Sequence, residues 1–87
     1  MYLHLGNDNA VISSDIIGFF DMDNTTVSEK TRKFLAKAQK NGEIKDVSDD
    51  LPKSFIVADE NGKNSVYISS VATRTLIKRA KSKNINI

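Results

Sequence analysis

The sequence predicts a small α+β domain with the element order βββ-α-βββ-α. Three observations carry that expectation. Short apolar stretches bounded by turn residues recur at the start and in the middle of the chain. Two stretches of helical period follow them. The chain has 87 residues, enough for one core and no second. A single domain over residues 1–87 is expected, with residues 81–87 either continuing the last helix or fraying.

The first three strands are expected at Tyr2 to Leu5, Ala10 to Ser13 and Ile16 to Phe20, with a polar turn at Gly6-Asn7-Asp8-Asn9. Together they suggest a meander of short antiparallel strands. Thr26-Val27-Ser28-Glu29 reads as a capping box, in which Glu29 reaches back to the Thr26 amide. The helix behind it sets Val27, Thr31, Phe34, Leu35 and Ala38 on one side, at about 100° per residue. Lys30, Lys33, Lys37 and Lys40 form a second stripe about 120° away, and Asn41-Gly42 is a stop. Three more strands are expected at Glu43 to Ser48, Ser54 to Asp59 and Ser65 to Ser69. The turn Glu60-Asn61-Gly62-Lys63-Asn64 makes a hairpin of the last two. Both faces of that hairpin are partly apolar, so both need a cover. Ser70 is placed to cap a final helix from Val71 to about Lys81, with Ala72, Leu76, Ile77 and Ala80 inward.

Charge is sorted along the chain. Residues 1–24 carry four acids and no Lys or Arg, whereas residues 61–87 carry six cations and no acid. Successive blocks hold −4, +4, −4 and +6, so a formal net charge of +2 conceals two basic and two acidic regions. Such a surface suits a polyanion or a second copy of itself. With no Cys and one His, disulfides and thiolate or multi-histidine metal sites are excluded, and no cofactor is expected. Nowhere do 18 apolar residues follow one another, and the start lacks a basic, apolar leader pattern, so a cytoplasmic protein without membrane contact is expected.

Phe19-Phe20-Asp21-Met22-Asp23-Asn24-Thr25 resembles the first motif of haloacid-dehalogenase-type phosphatases, where an apolar strand delivers a nucleophilic Asp and an acid/base Asp to magnesium. That chemistry needs a doubly wound parallel sheet of several βαβ units, each of roughly 30 residues, to bring the remaining groups to the first Asp. The element order here does not supply it. A strand end running into an Asx-type turn accounts for the same residues. His4, between Leu3 and Leu5, reads as an ordinary strand residue. No enzymatic activity and no small-molecule substrate is expected.

Several stretches in order carry a wider resemblance: Tyr2-Leu3-His4-Leu5-Gly6, Val11-Ile12-Ser13, Asp15-Ile16-Ile17, Phe20-Asp21, Asp46-Val47-Ser48, Lys53 to Asp59, Val66 to Ser69 and Thr75 to Arg79. Over nearly its whole length the chain resembles the bacterial extracellular matrix regulatory proteins, and within them the RemB-like branch. The resemblance implies a cytoplasmic domain that assembles as a homo-oligomeric ring. From the RemA-like branch it implies a DNA-binding activator of biofilm matrix genes that uses arginines on the ring surface. Those arginines fall in the loop that reads Asp49-Asp50-Leu51-Pro52-Lys53 here, and close to Asp15. Of these positions only Lys53 keeps a positive charge.

Two classes of function follow. In the first the chain is a ring-forming transcriptional regulator that holds double-stranded DNA through Lys53, with Lys30, Lys33, Lys37 and Lys40 or with Arg74, Lys78, Arg79, Lys81 and Lys83. In the second it is an oligomeric interaction module that touches no nucleic acid, the acidic strands of one copy meeting the basic helices of the next. For the phosphatase-like motif the expected outcome is plain: no magnesium-dependent phosphate monoester hydrolysis in the parent, and none to lose in Asp21→Asn. A colorimetric phosphatase assay on both proteins checks it.

Overall fold

The computed structural model describes residues 2–22 and 28–85. The strands are β1 (Tyr2–Gly6), β2 (Asn9–Ile12), β3 (Ile16–Asp21), β4 (Ile44–Asp46), β5 (Ser54–Glu60) and β6 (Lys63–Ser69). The helices whose full range lies among the described residues are α1 (Glu29–Lys40) and α2 (Thr73–Ile85), and a 3₁₀ turn, Ser13–Asp15, joins β2 to β3. The order is the βββ-α-βββ-α read from the sequence. None of the described helices is long and apolar enough to cross a membrane.

The pairing departs from that reading in two ways. The first three strands are not one meander: β1 and β2 pair alone, while β3 joins a four-stranded sheet of order β3-β5-β6-β4. The turn at Ser13–Asp15 redirects the chain, and β3 pairs antiparallel with β5 from Ile16 opposite Ala58 to Asp21 opposite Ser54. Nor are all strands antiparallel, because β4 runs parallel to β6, with Lys45 opposite Tyr67. A helix returns the chain in its original direction, so β3 and β4 are parallel edges with the β5–β6 hairpin slotted between them. That hairpin closes through Asn61-Gly62, whose positive φ values of 59° and 82° belong to the tight turn that matches strand twist.

Both sheet faces are covered, by different layers. On one, Ile56, Ala58 and Tyr67 pack with Leu3, Leu5, Val11, Val47 and Leu76, so the β1–β2 hairpin and α2 form the lid. On the other, Phe55 and Val66 pack with Ala38 of α1, joined by the partly buried Leu35, Ile44 and Val57. Ala38 is the sole fully buried residue of the described helix α1. Helix α1 starts at Glu29 behind Ser28, whose side chain makes no cap bond. The Thr26 and Val27 of the expected capping box lie outside the described residues; Glu29 pairs with Lys33 at 3.4 Å.

Three layers meet at two serines. Ser54 and Ser69 are cross-strand partners with no exposed surface. Ser69 donates to the Leu5 carbonyl at 2.6 Å and accepts from the Val71 amide at 3.0 Å, while Ser54 donates to the Val71 carbonyl at 2.7 Å. Both polar groups of the Val71 peptide are therefore consumed before α2 begins. Helix α2 starts at Thr73 rather than at Val71, and Ser70 turns its hydroxyl to Asp49 at 2.9 Å instead of capping. Helix α2 then continues to Ile85, past the expected end at Lys81.

Replacing Ser69 by Ala strands a buried carbonyl and a buried amide at once. The expected cost is about 1–3 kcal/mol. Urea denaturation should show it as a lower midpoint with an unchanged slope.

Candidate nucleic-acid interface

Of the cations singled out from sequence, the fold brings two to one place. Lys53 is the residue before β5, and its main chain is fixed on both sides: its amide donates to the Ser69 carbonyl at 2.9 Å, and its carbonyl accepts from the Met22 amide at 3.0 Å. Arg74 is the second residue of α2, whose start is set by the serine pair. Both line a hollow of about 490 Å³ at the end of the sheet, together with Leu51, Pro52, Thr73 and Asp21. Both side chains are exposed. The start of α2 and the Asp21 carboxylate border the same hollow as these two cations.

The remaining cations are dispersed. Lys30, Lys33, Lys37 and Lys40 are all exposed on α1, on the opposite sheet face from α2. Within one protomer, the α1 stripe and the Lys53–Arg74 pair therefore cannot lie along one short stretch of duplex. Lys33 is partly neutralised by Glu29, although that ion pair is mostly solvated, at 77% and 78% exposure, and is worth little. On α2, Lys78 is exposed, whereas Arg79 donates to the His4 carbonyl at 3.2 Å and so ties the helix to β1. The Lys83 side chain lies outside the described residues.

The acids that replace the resembled family's arginines are separated as well. Asp15 precedes the end of β3 that pairs with Ala58, whereas Lys53 adjoins Ser54 at the other end of the sheet. At roughly 3.3 Å per strand residue the two positions stand about 20 Å apart. Asp21, the first residue of the phosphatase-like motif, ends an edge strand paired antiparallel to β5. The second acid, Asp23, lies outside the described residues. The sheet is mixed rather than doubly wound and parallel.

The sequence reading missed a charged cluster at the β4 edge. Tyr67 donates to the Glu60 carboxylate, its oxygen 2.9 and 3.0 Å from the two carboxylate oxygens. Lys45 stands 3.5 Å from Glu60, 3.4 Å from the Tyr67 hydroxyl and 5.3 Å from the tyrosine ring centroid. A hydrogen bond from Ser65, with those from Tyr67 and Lys45, holds the Glu60 carboxyl below its ordinary value against partial burial. The bond to Tyr67 raises Lys45, and burial followed by the bond to Glu60 raises Tyr67. Only the parallel β4–β6 register places Lys45 beside Tyr67. No alternation pattern signals that register, so the cluster was not legible. It pins a three-residue edge strand. Nearby, Asp46 accepts the amide and hydroxyl of Ser48, the hydroxyl bond being the main cause of its lowered carboxyl value.

The sign of the resulting pH dependence follows from linkage. Glu60 titrates lower when folded, so its contribution is complete above the ordinary value of 4.5 and fades as pH falls through the lowered one. Lys45 and Tyr67 titrate higher when folded, so theirs is complete below about pH 10 and fades as pH rises through the raised values. Thermal melts of Glu60→Gln should accordingly show a shallower loss of stability than the parent as pH falls below 4.5.

Comparison with known proteins places these features in context. The model of the RemA-like family, described as extracellular matrix regulatory protein A-like, matches residues 2–80. The chain is 39% identical over 80 residues to Extracellular matrix regulatory protein B of Bacillus subtilis (strain 168), covering 92% of this chain and 90% of that protein.

Proposed function

This chain belongs to the RemA-like family of extracellular matrix regulatory proteins, and from that premise we propose that it is a cytoplasmic, ring-forming regulator of transcription that binds double-stranded DNA. The observation that carries this reading is the hollow where Lys53 and Arg74 stand over the first turn of α2. Its cations come from two separate segments held by one buried serine pair, so the charge is placed before a ligand arrives. Phosphate contacts of this kind fix position on the duplex without reading bases. Repeated around a ring, single phosphate contacts add up to useful affinity.

Asp21 in the hollow, with Asp49 and Asp50 in the loop just before Lys53, keeps each contact weak. The binding proposed is therefore salt-sensitive and largely independent of sequence. Those same acids favour the second reading, an oligomeric interaction module without nucleic acid, because they put negative charge in the loop that precedes Lys53.

Titration against duplex DNA at two salt concentrations separates the readings. Lys53→Ala and Arg74→Ala should each lower the log–log salt slope by about 0.9 per bound subunit. Lys37→Ala, on the opposite sheet face, should leave it near the parent value. Exchanging Asp49 and Asp50 for Arg should tighten binding. A parent protein that ignores DNA even at low salt moves the interaction-module reading to the front.

A further inference from the structure

The chain holds two Asn-Gly steps, Asn41-Gly42 directly behind α1 and Asn61-Gly62 at the tip of the β5–β6 hairpin. This dipeptide is chemically fragile, because a glycine nitrogen with no neighbouring side chain to shield it can attack the asparagine side-chain amide. In local terms the two steps are alike. Both are exposed, both glycines have positive φ, 71° and 82°, and nothing stands within 4 Å of where a Cβ would sit on either. Sequence and crowding therefore do not tell them apart.

The backbone does. At the first step the amides of Asn41, Gly42 and Glu43 donate to the carbonyls of Lys37, Gln39 and Ala38 at 3.0, 3.1 and 2.9 Å, so the Gly42 nitrogen is held by its proton in the middle of a clamped segment. At the second, the loop is closed by the pairing of Glu60 with Lys63, and among the described residues no acceptor receives the Gly62 amide.

We propose that Asn61 is a site of spontaneous covalent modification, converting to aspartate and isoaspartate in the folded protein while Asn41 persists. The Gly62 nitrogen gives its proton to solvent base and bonds to the Asn61 side-chain carbonyl carbon; the side-chain nitrogen leaves as ammonia, and a cyclic succinimide remains. Water then opens the ring. Opening at the main-chain carbonyl leaves the backbone running through the former side chain, which is isoaspartate, and opening at the other carbonyl gives aspartate. The overall change consumes one water and releases one ammonia, with no oxidant or reductant.

The consequence reaches the cluster at the β4 edge. Glu60, the residue before Asn61, holds the Tyr67 hydroxyl and Lys45 through its carboxylate. Isoaspartate adds a backbone carbon to a tight turn whose positive φ values match the strand twist, so Glu60 must move relative to Tyr67. Either product also adds negative charge beside Asp59 and Glu60. Lys53 adjoins the other end of β5, so the proposed phosphate contact is left unchanged.

The test incubates the purified protein for several weeks at mildly alkaline pH and digests it briefly with trypsin beside an unincubated sample. Cleavage after lysine puts the two steps in different peptides, Asn41–Lys45 and Ser54–Lys63. Ser54–Lys63 should gain the mass of NH exchanged for O and split into two chromatographic forms, at a rate roughly 5-fold or more above that of Asn41–Lys45, whose amide must first release a hydrogen bond. In urea, where neither amide is held, the two should convert at similar rates. A folded protein whose Asn61 stays unmodified or converts no faster than Asn41 overturns the assignment; so does the same difference persisting in urea, which would place its cause in the sequence and not in the fold. Asn61→Asp carries the charge without the added carbon. The isoaspartate form, isolated chromatographically, should melt below that variant, and equal melting of the two refutes the coupling of the turn to the Glu60 cluster.

Discussion

Ser54 and Ser69 hold the protein together at the one point where all its layers on one sheet face converge. A hydroxyl buried without a partner costs on the order of 1–3 kcal/mol, so two of them inside a small core are tolerable only if both are satisfied. Here they are, by the Leu5 carbonyl and by both polar groups of the Val71 peptide. The result is a junction among β1, β5, β6 and the approach to α2. Gly6 fits beside it, since its positive φ of 108° strains any other residue and a Val71 methyl stands only 3.3 Å from where a Cβ would sit. The position of Arg74 relative to Lys53 is a consequence of this polar junction rather than of any direct contact between the two.

Size explains the unequal covering of the sheet. A domain of this length hides only roughly 60–65% of its unfolded surface. The heavier lid takes the β1–β2 hairpin and α2 and buries Leu3, Leu5, Val11 and Leu76 outright. What remains for the other face is a twelve-residue helix with a lysine on nearly every outward turn. Such a helix screens Phe55 and Val66 from water and cannot also enclose Phe34 and Ile17.

The same layering sorts the charge. Helices on opposite sheet faces turn their cationic sides in opposite directions, so two basic stripes in one small chain serve two different surfaces. Only Lys53, which belongs to the sheet end rather than to a helix, comes near one of them. The acids at Asp15 and Asp49 stand at opposite ends of the sheet, so the two regions where the chain departs from the resembled DNA-binding pattern are separate within one chain.

Element types and their order were legible in the sequence because they depend on local chemistry: alternation in β5 and β6, helical period in α1, the Asn61-Gly62 turn. So was the need for two covers, from apolar residues on both faces of one hairpin. The basic stripes were legible as stripes, and the resemblance to extracellular matrix regulatory proteins was legible from short matching stretches. Pairing was not. Whether β3 joins β2 or β5, and whether β4 runs with or against β6, depends on contacts between residues tens of positions apart, which local patterns do not encode. For the same reason the Lys45–Tyr67–Glu60 cluster, the meeting of Lys53 with Arg74 and the diversion of Arg79 to the His4 carbonyl emerged only with the tertiary structure. Each of these joins segments that sequence distance keeps apart, and only the closure of the sheet between its two lids brings them together.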